Sequence, residues 1–152
     1  MRRFLVAVLA AGFVAAPVFA GALTLQADDP TANPEAVAKN AIVAAHTTAC
    51  VSPEKTVVTA TAEGIVDGKR VSMPLKVIRL SQAGSYAVAR EWPASGAWVV
   101  KMIATNPDYK NYATSIVVPA ESGAESRAKA KVFYHAPSEE EIDSVLRPAS
   151  LE

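Results

Sequence analysis

The sequence predicts an all-β domain, an antiparallel β-sandwich of about seven strands followed by one short helix. Short segments rich in Val, Thr and aromatic residues alternate between apolar and polar positions, as half-buried strands do. Turn-forming residues separate these segments about every 8 to 12 residues, which is the spacing typical of a sandwich. No helical pattern lies between the strands, so a parallel sheet built from alternating strands and helices is not expected.

Seven segments carry the strand pattern. The predicted strands are residues 42–48, 56–62, 71–77, 85–92, 98–103, 113–118 and 128–135. Asp67 and Gly68 form the strongest turn signal, because this pair suits the tight turn of a β-hairpin. Pro74 cannot donate a ladder hydrogen bond, so the third predicted strand is expected to lie at a sheet edge.

Two short helical segments frame the strands. In residues 21–40, which we interpret as a leader into the domain, Asn33 and Pro34 predict the start of one or two helical turns. Near the other end Ser138 and Glu141 predict a capping box, in which each side chain satisfies an unpaired backbone donor. The predicted organisation is therefore a leader over 21–40, a sandwich domain over 41–136, and a helix with its tail over 137–152.

Residues 1–20 have the features of a cleavable secretory signal peptide. Arg2 and Arg3 precede an uncharged aliphatic run, and Val18-Phe19-Ala20 places small residues where signal peptidase requires them. The apolar run is shorter than the roughly 20 residues that a membrane-spanning helix needs. No second long apolar run follows, so no transmembrane segment is expected in the mature chain. We therefore expect a mature protein that starts at Gly21 and is periplasmic or extracellular.

The charge balance argues against several classes of partner. When the 20 signal residues are removed from the 152, the remaining 132 carry 13 basic and 15 acidic side chains. Nucleic acid is not expected as a partner, because phosphate binding needs clustered Lys and Arg. Cys50 is the only cysteine, so the domain has no internal disulfide. The sequence leaves open whether Cys50 is buried, bridged to another chain or a metal ligand.

His46 and Cys50 are the candidate metal ligands. Their spacing allows both side chains to lie on one side of a strand and of the turn after it, and soft sulfur ligands favour copper in the form of Cu(I). Met73 and Met102 are candidate additional ligands, but both lie on apolar faces that predict core packing. The alternative for Cys50 is a small buried apolar side chain.

Catalytic patterns are weak in this sequence. It contains no Gly-x-Ser-x-Gly nucleophile elbow, and the acidic cluster that precedes the last helix is explained by the helix dipole. We therefore predict that the protein is not an enzyme. Tyr109 and Tyr112, which lie in or beside a turn, and Arg90, which shares a strand face with aromatic residues, are the predicted binding-surface residues.

Residues 56–105 contain a hairpin followed by an aromatic pattern. The two segments are GIVDGKRVSMPLKV from Gly64 and AGSYAVAREWPASGAWVV from Ala83. They resemble the bacterial immunoglobulin-like sandwiches of the YtkA-like and CopC-like type. The resemblance implies a small, periplasmic, non-enzymatic immunoglobulin-like domain, and several such domains are linked to copper handling or to the assembly of membrane complexes. The copper-binding members place a histidine at the mature N-terminus, whereas this chain would begin with Gly21.

These observations favour an exported, non-enzymatic β-sandwich that acts as a binding or assembly module. Its partner is expected to be another protein, bound through loops or through an exposed strand edge. Two alternatives stay open. One is a periplasmic protein that handles copper or another metal through His46 and Cys50, and the other is a structural subunit that forms homo-oligomers or polymers at the cell surface.

Overall fold

The chain folds into two antiparallel sheets with a helix near its C-terminal end. The structure is a computed structural model that describes residues 23–120 and 127–149. The all-β class and the C-terminal helix are confirmed. The described residues form nine strands, so the prediction of about seven strands is wrong. The predicted signal peptide, residues 1–20, lies outside the described residues.

Nine strands and two helices define the fold. The strands are Thr24–Asp28 (β1), Ala41–Thr48 (β2), Val57–Val66 (β3), Lys69–Leu75 (β4), Ile78–Arg79 (β5), Ser85–Ala89 (β6), Ala97–Thr105 (β7), Ala113–Pro119 (β8) and Lys131–Phe133 (β9). The helices are Pro34–Ala38 (α1) and Glu139–Ala149 (α2), and single 3-10 turns span Pro30–Ala32 and Pro53–Lys55. Sheet A has the order β1–β2–β6–β5, and sheet B has the order β4–β3–β7–β8–β9.

The two additional strands lie where the sequence pattern is short. β1 falls in residues 21–40, the segment interpreted as a leader, and it pairs with β2 over five consecutive residues. Leu23 and Leu25 are fully buried, so this segment contributes to the core. Its apolar alternation spans too few residues to stand out next to a signal peptide. β5 has only two residues and pairs with β6.

The predicted turns and caps agree with the structure. Asp67 and Gly68 have φ angles of 48° and 72°, which suit a turn that needs two positive φ values. Pro74 lies on β4, an edge strand of sheet B, as its missing N–H group requires. The side chain of Asn33 accepts hydrogen bonds at the start of α1, which begins at Pro34.

The two sheets pack face to face around one apolar core. Its buried side chains from sheet A include Leu25, Val43, Tyr86 and Val88, and those from sheet B include Ala62, Trp98, Val100, Met102 and Ile116. Met102 is fully buried and Met73 is partly buried against this core, so both methionines have the packing role that their apolar faces predict. Gly64 lies under Trp98, where a Cβ atom would be 2.4 Å from the ring. The position therefore admits only glycine without a shift of the tryptophan.

Helix α2 covers part of the outer face of sheet B. Its apolar stripe contacts the sheet through Ile142, Val145 and Leu146, which pack against Val99 and Val117. The N–H of Ser138 donates to Glu141 Oε2 at 2.8 Å, and the N–H of Glu141 donates to Ser138 Oγ at 3.3 Å. The predicted capping box is therefore confirmed.

Helix α1 covers only one end of the outer face of sheet A. Ala36 is fully buried there against Leu80 and Ala87. Because α1 has five residues, much of this face is left without a helix above it. Neither α1, α2 nor any other helix within the described ranges is long and apolar enough to cross a membrane.

Candidate functional site

The outer face of sheet A carries an open groove beside α1. His46 lies in the middle of this face, with Gln26 opposite it on β1 and Ser85 opposite it on β6. The groove has a volume of about 590 Å³, and a second depression of about 510 Å³ adjoins it and shares Gln82 and Ser85. Both volumes fall in the range of small-molecule sites, roughly 300 to 1,000 Å³.

An Asp–His pair lies in this groove. The pairing of β1 with β2 brings Asp28 beside His46, and both carboxylate oxygens lie 2.9 Å from His46 Nδ1. The side chains are about two-fifths exposed, at 37% for His46 and 41% for Asp28. An ionised carboxylate only accepts hydrogen bonds, so Nδ1 carries the hydrogen in this contact. Nε2 is then available to accept a hydrogen bond or to bind a ligand.

A hairpin over residues 80–85 forms one wall of the groove. The N–H of Thr47 on β2 donates to the carbonyl of Gly84 at 2.8 Å. Gly84 has a φ of +75°, and a Cβ atom there would lie 2.8 Å from the carbonyl oxygen of Thr47. Glycine at this position therefore lets the hairpin approach β2 closely and places Gln82 and Ser85 at the groove.

The opposite wall contains carboxylates that already have internal partners. The hydroxyl and the N–H of Thr31 donate to Asp29, and these bonds lower the pKa of that carboxyl group. The charge of Arg127, which also lines the groove, lowers the pKa of Asp29 further. The N–H of Ser81 donates to Glu35 at 2.7 Å and lowers the pKa of Glu35. Both acids are thus held in the ionised form.

Cys50 is a free and exposed thiol on the loop after β2. The expectation of a small buried side chain is therefore wrong, because β2 ends at Thr48 and the chain leaves the sheet before Cys50. Tyr109 orders this loop, since its hydroxyl oxygen accepts from the N–H groups of Cys50 and Val51, each at 3.0 Å. The side chain of Asn106 supports the same loop by donating to the carbonyl of Ser52 at 2.9 Å.

The structure does not combine His46 and Cys50 into a metal centre. His46 contacts Asp28 in the groove, whereas Cys50 lies on the loop ordered by Tyr109. In residues 23–120 and 127–149 no group of three or more His, Cys, Asp and Glu side chains is arranged to hold a metal ion. The residues present therefore do not fit a closed copper site, which needs several converging nitrogen or sulfur ligands.

The three predicted binding-surface residues do not share one surface. Tyr109 is partly buried and holds the Cys50 loop. Tyr112 is also partly buried against the core, and this burial raises the pKa of its hydroxyl group. Arg90 is exposed just after β6, where it donates to the carbonyl of Pro93 at 3.1 Å.

The strand register separates Arg90 from the tyrosines. Ser85, at the start of β6, pairs with His46 near the end of β2, whereas Ala89 pairs with Ala41 at the other end. Arg90 follows Ala89, and Tyr109 contacts the loop that follows β2. Arg90 and Tyr109 therefore lie at opposite ends of sheet A.

The edge strands of the two sheets differ in their protection. β4 carries Pro74 and the cations Lys69 and Arg70, and β5 and β9 have only two and three residues. β1 has five residues in unbroken register with β2 and contains no Pro, Lys or Arg. Short length, Pro and Lys are features that prevent unwanted strand pairing. Among the edges in the described part of the chain, β1 is the one that lacks them.

Comparisons with known proteins give no family assignment. No protein-family model, curated protein or solved structure matches this chain. We therefore infer the function from the geometry of the groove and of the strand edges.

Proposed function

We propose that this protein is an exported, non-enzymatic β-sandwich of the immunoglobulin-like type that binds or assembles with another protein. The two packed antiparallel sheets support this type of fold. The features of residues 1–20 support export to the periplasm or the cell exterior. The resemblance of residues 56–105 to YtkA-like and CopC-like domains supports the same class.

The unprotected edge of β1 is the observation that carries the proposal. Within the described residues β1 has a strand neighbour on one side only. An edge strand presents N–H and C=O groups that a partner strand can pair with, and strand addition is a common mode of protein recognition. Leu25 points into the core and Gln26 is exposed on the outer face. An added strand would therefore extend both the core face and the groove face of sheet A.

The edge of β4 provides the internal comparison. It is longer than β1, with seven residues, but Pro74 removes one donor and Lys69 and Arg70 place charge beside it. These features disfavour strand addition at β4. A second copy of this chain is the competing occupant of the β1 edge, and it corresponds to the structural subunit that forms homo-oligomers or polymers.

Affinity capture with edge variants tests the proposal. The mature chain is immobilised and exposed to the exported proteins of its native host, and the retained proteins are identified by mass spectrometry. Gln26→Lys places on β1 the charge that protects other edges. Lys69→Gln at β4 is the matched control.

We expect a protein that is retained by the unmodified chain and by Lys69→Gln but not by Gln26→Lys. Light scattering of the free chain distinguishes a foreign partner from a second copy. The same retained set for all three proteins, or no retained protein together with a monomeric mass, would contradict the proposal.

A further inference from the structure

The groove on sheet A contains polar groups that the protein leaves without a partner. Within residues 23–120 and 127–149, the side chains of Gln82 and Ser85 form no hydrogen bond, and Asn33 uses its side-chain oxygen but not its NH₂ group. His46 uses Nδ1 and leaves Nε2 without a hydrogen bond. All four residues line the same cavity of about 590 Å³.

The charged groups of the groove largely cancel one another. Asp28 pairs with His46, and Asp29 lies in the field of Arg127. Glu35 accepts the N–H of Ser81 at the border of the groove. Because the carboxylates outnumber the cations, a phosphate or carboxylate ligand gains no net attraction here. Because these carboxylates already accept hydrogen bonds, they are not free to bind a metal cation either.

The uncommitted groups include both donors and acceptors. The amide groups of Asn33 and Gln82 and the guanidinium of Arg127 donate, Nε2 of His46 and the side-chain oxygen of Gln82 accept, and the Ser85 hydroxyl does both. A sugar hydroxyl group is likewise one donor and two acceptor sites. A mixed lining without surplus charge is therefore complementary to an uncharged molecule that carries many hydroxyl groups.

We propose that this groove binds a neutral saccharide. Hydroxyl groups of the sugar donate to Nε2 of His46 and to the side-chain oxygen of Gln82, and other oxygens accept from the amides of Gln82 and Asn33. Asp28 is a positioning residue, because it fixes the His46 ring with Nε2 as the acceptor. The site is independent of the proposed protein-binding function, since it uses the outer face of sheet A and not the edge of β1.

Titration of the isotope-labelled mature chain tests the proposal. The probes are the neutral hexasaccharides of glucose in α-1,4 and β-1,4 linkage, of xylose in β-1,4 linkage and of N-acetylglucosamine in β-1,4 linkage. Binding is followed by the amide chemical shifts and by calorimetry, and inorganic phosphate is the anionic comparison. We expect at least one hexasaccharide to shift the amides of His46, Gln82 and Ser85.

Two variants and one matched control define the site. Gln82→Ala and His46→Ala are each expected to weaken the dissociation constant roughly 3- to 10-fold, which is the effect of losing one hydrogen bond. The control is His135→Ala, which removes the other His–carboxylate pair, with Glu141, outside the groove. It is expected to leave binding unchanged, and melting temperatures verify that all three variants are folded.

Three results would overturn the proposal. The first is that none of the four hexasaccharides shifts the groove amides. The second is that phosphate binds more tightly than every neutral sugar. The third is that His135→Ala weakens binding as much as His46→Ala does. None of these results bears on strand addition at β1, which affinity capture with Gln26→Lys tests separately.

Discussion

The outer faces of the two sheets satisfy their polar groups in different ways. On sheet B, Glu63 is 4% exposed and accepts hydrogen bonds from Lys101 at 2.8 Å and from the hydroxyl of Ser72 at 3.0 Å. Arg70 connects this cluster to Asp143 on α2. On sheet A, the groove leaves Gln82 and Ser85 without a side-chain partner in the described part of the chain. Sheet B therefore uses its polar groups for its own stability, whereas sheet A keeps binding capacity free.

The two histidines show the same difference on a smaller scale. His135 contacts both carboxylate oxygens of Glu141 at 3.0 Å, and this pair supports the start of α2. His46 makes the same kind of contact with Asp28, but it does so inside a groove. A His–carboxylate contact alone does not mark a binding site. The cavity and the unused groups around His46 distinguish it from His135.

The largest expected effect comes from the carboxylates of the two faces. Glu63→Ala leaves Lys101 partly buried without its partner, so we expect it to lower the free energy of unfolding by about 2–4 kcal/mol, a buried-pair cost reduced for partial exposure. Asp28→Ala removes a half-exposed pair and is expected to cost less than about 1 kcal/mol. Urea denaturation of both variants provides the measurement. Equal losses would mean that the two faces do not differ in this way.

Two glycines test how tightly the groove wall is held against β2. Gly84→Ala combines a left-handed backbone with a Cβ atom 2.8 Å from the carbonyl of Thr47, and we expect it to cost about 2–3 kcal/mol. Gly68→Ala has a similar φ of +72° but nothing within 4 Å, so only the backbone penalty of about 1 kcal/mol is expected. Thermal and urea unfolding measure both. If Gly68→Ala costs as much as Gly84→Ala, the close approach of the hairpin is not a constraint.

Acid is expected to loosen helix α2 through Glu141. The N–H of Ser138 and then the contact with His135 lower the pKa of Glu141 in the folded protein. A carboxyl group with a lowered pKa contributes stability above its unfolded pKa, about 4.3 for Glu, and this contribution is lost as the pH falls through the folded pKa. Unfolding curves from neutral to acidic pH should therefore be steeper for the unmodified chain than for Glu141→Gln. Parallel curves for the two proteins would contradict this role.

The smallest effect is expected from metal ions. Because His46 and Cys50 have different partners, titration of the reduced mature chain with Cu(I) and Zn(II) should give no one-to-one complex that depends on both residues. Mass spectrometry and melting temperature provide the measurement, with His46→Ala and Cys50→Ala as the variants. A one-to-one complex that is lost in both variants would restore the copper-handling alternative.

The sequence predicts those strands that are bounded by clear turns. Asp67 and Gly68 locate the hairpin between β3 and β4, because few residues accept the two positive φ values that this turn requires. β1 lacks such a boundary, and only Leu23 and Leu25 carry its alternation. A pattern of two residues beside a predicted signal peptide is too short to indicate a strand.

The candidate site depends on contacts between distant residues, which a single sequence does not contain. His46 is recognisable as a candidate ligand, but its partner Asp28 is brought to it by the β1–β2 register. Cys50 has apolar neighbours, which suggested burial. Its exposed position follows instead from the hydroxyl of Tyr109, 59 residues away, which orders the loop. Both outcomes follow from pairing across the sheets rather than from local composition.

Site-specific photo-crosslinking tests most directly whether the β1 edge is the surface that binds a partner. A benzophenone amino acid is placed at position 26 on β1 or at position 69 on β4, and each protein is expressed and irradiated in its native host. We predict a covalent adduct with another protein from position 26 and none from position 69. Equal adducts from both positions, or no adduct from position 26, would contradict strand addition at β1.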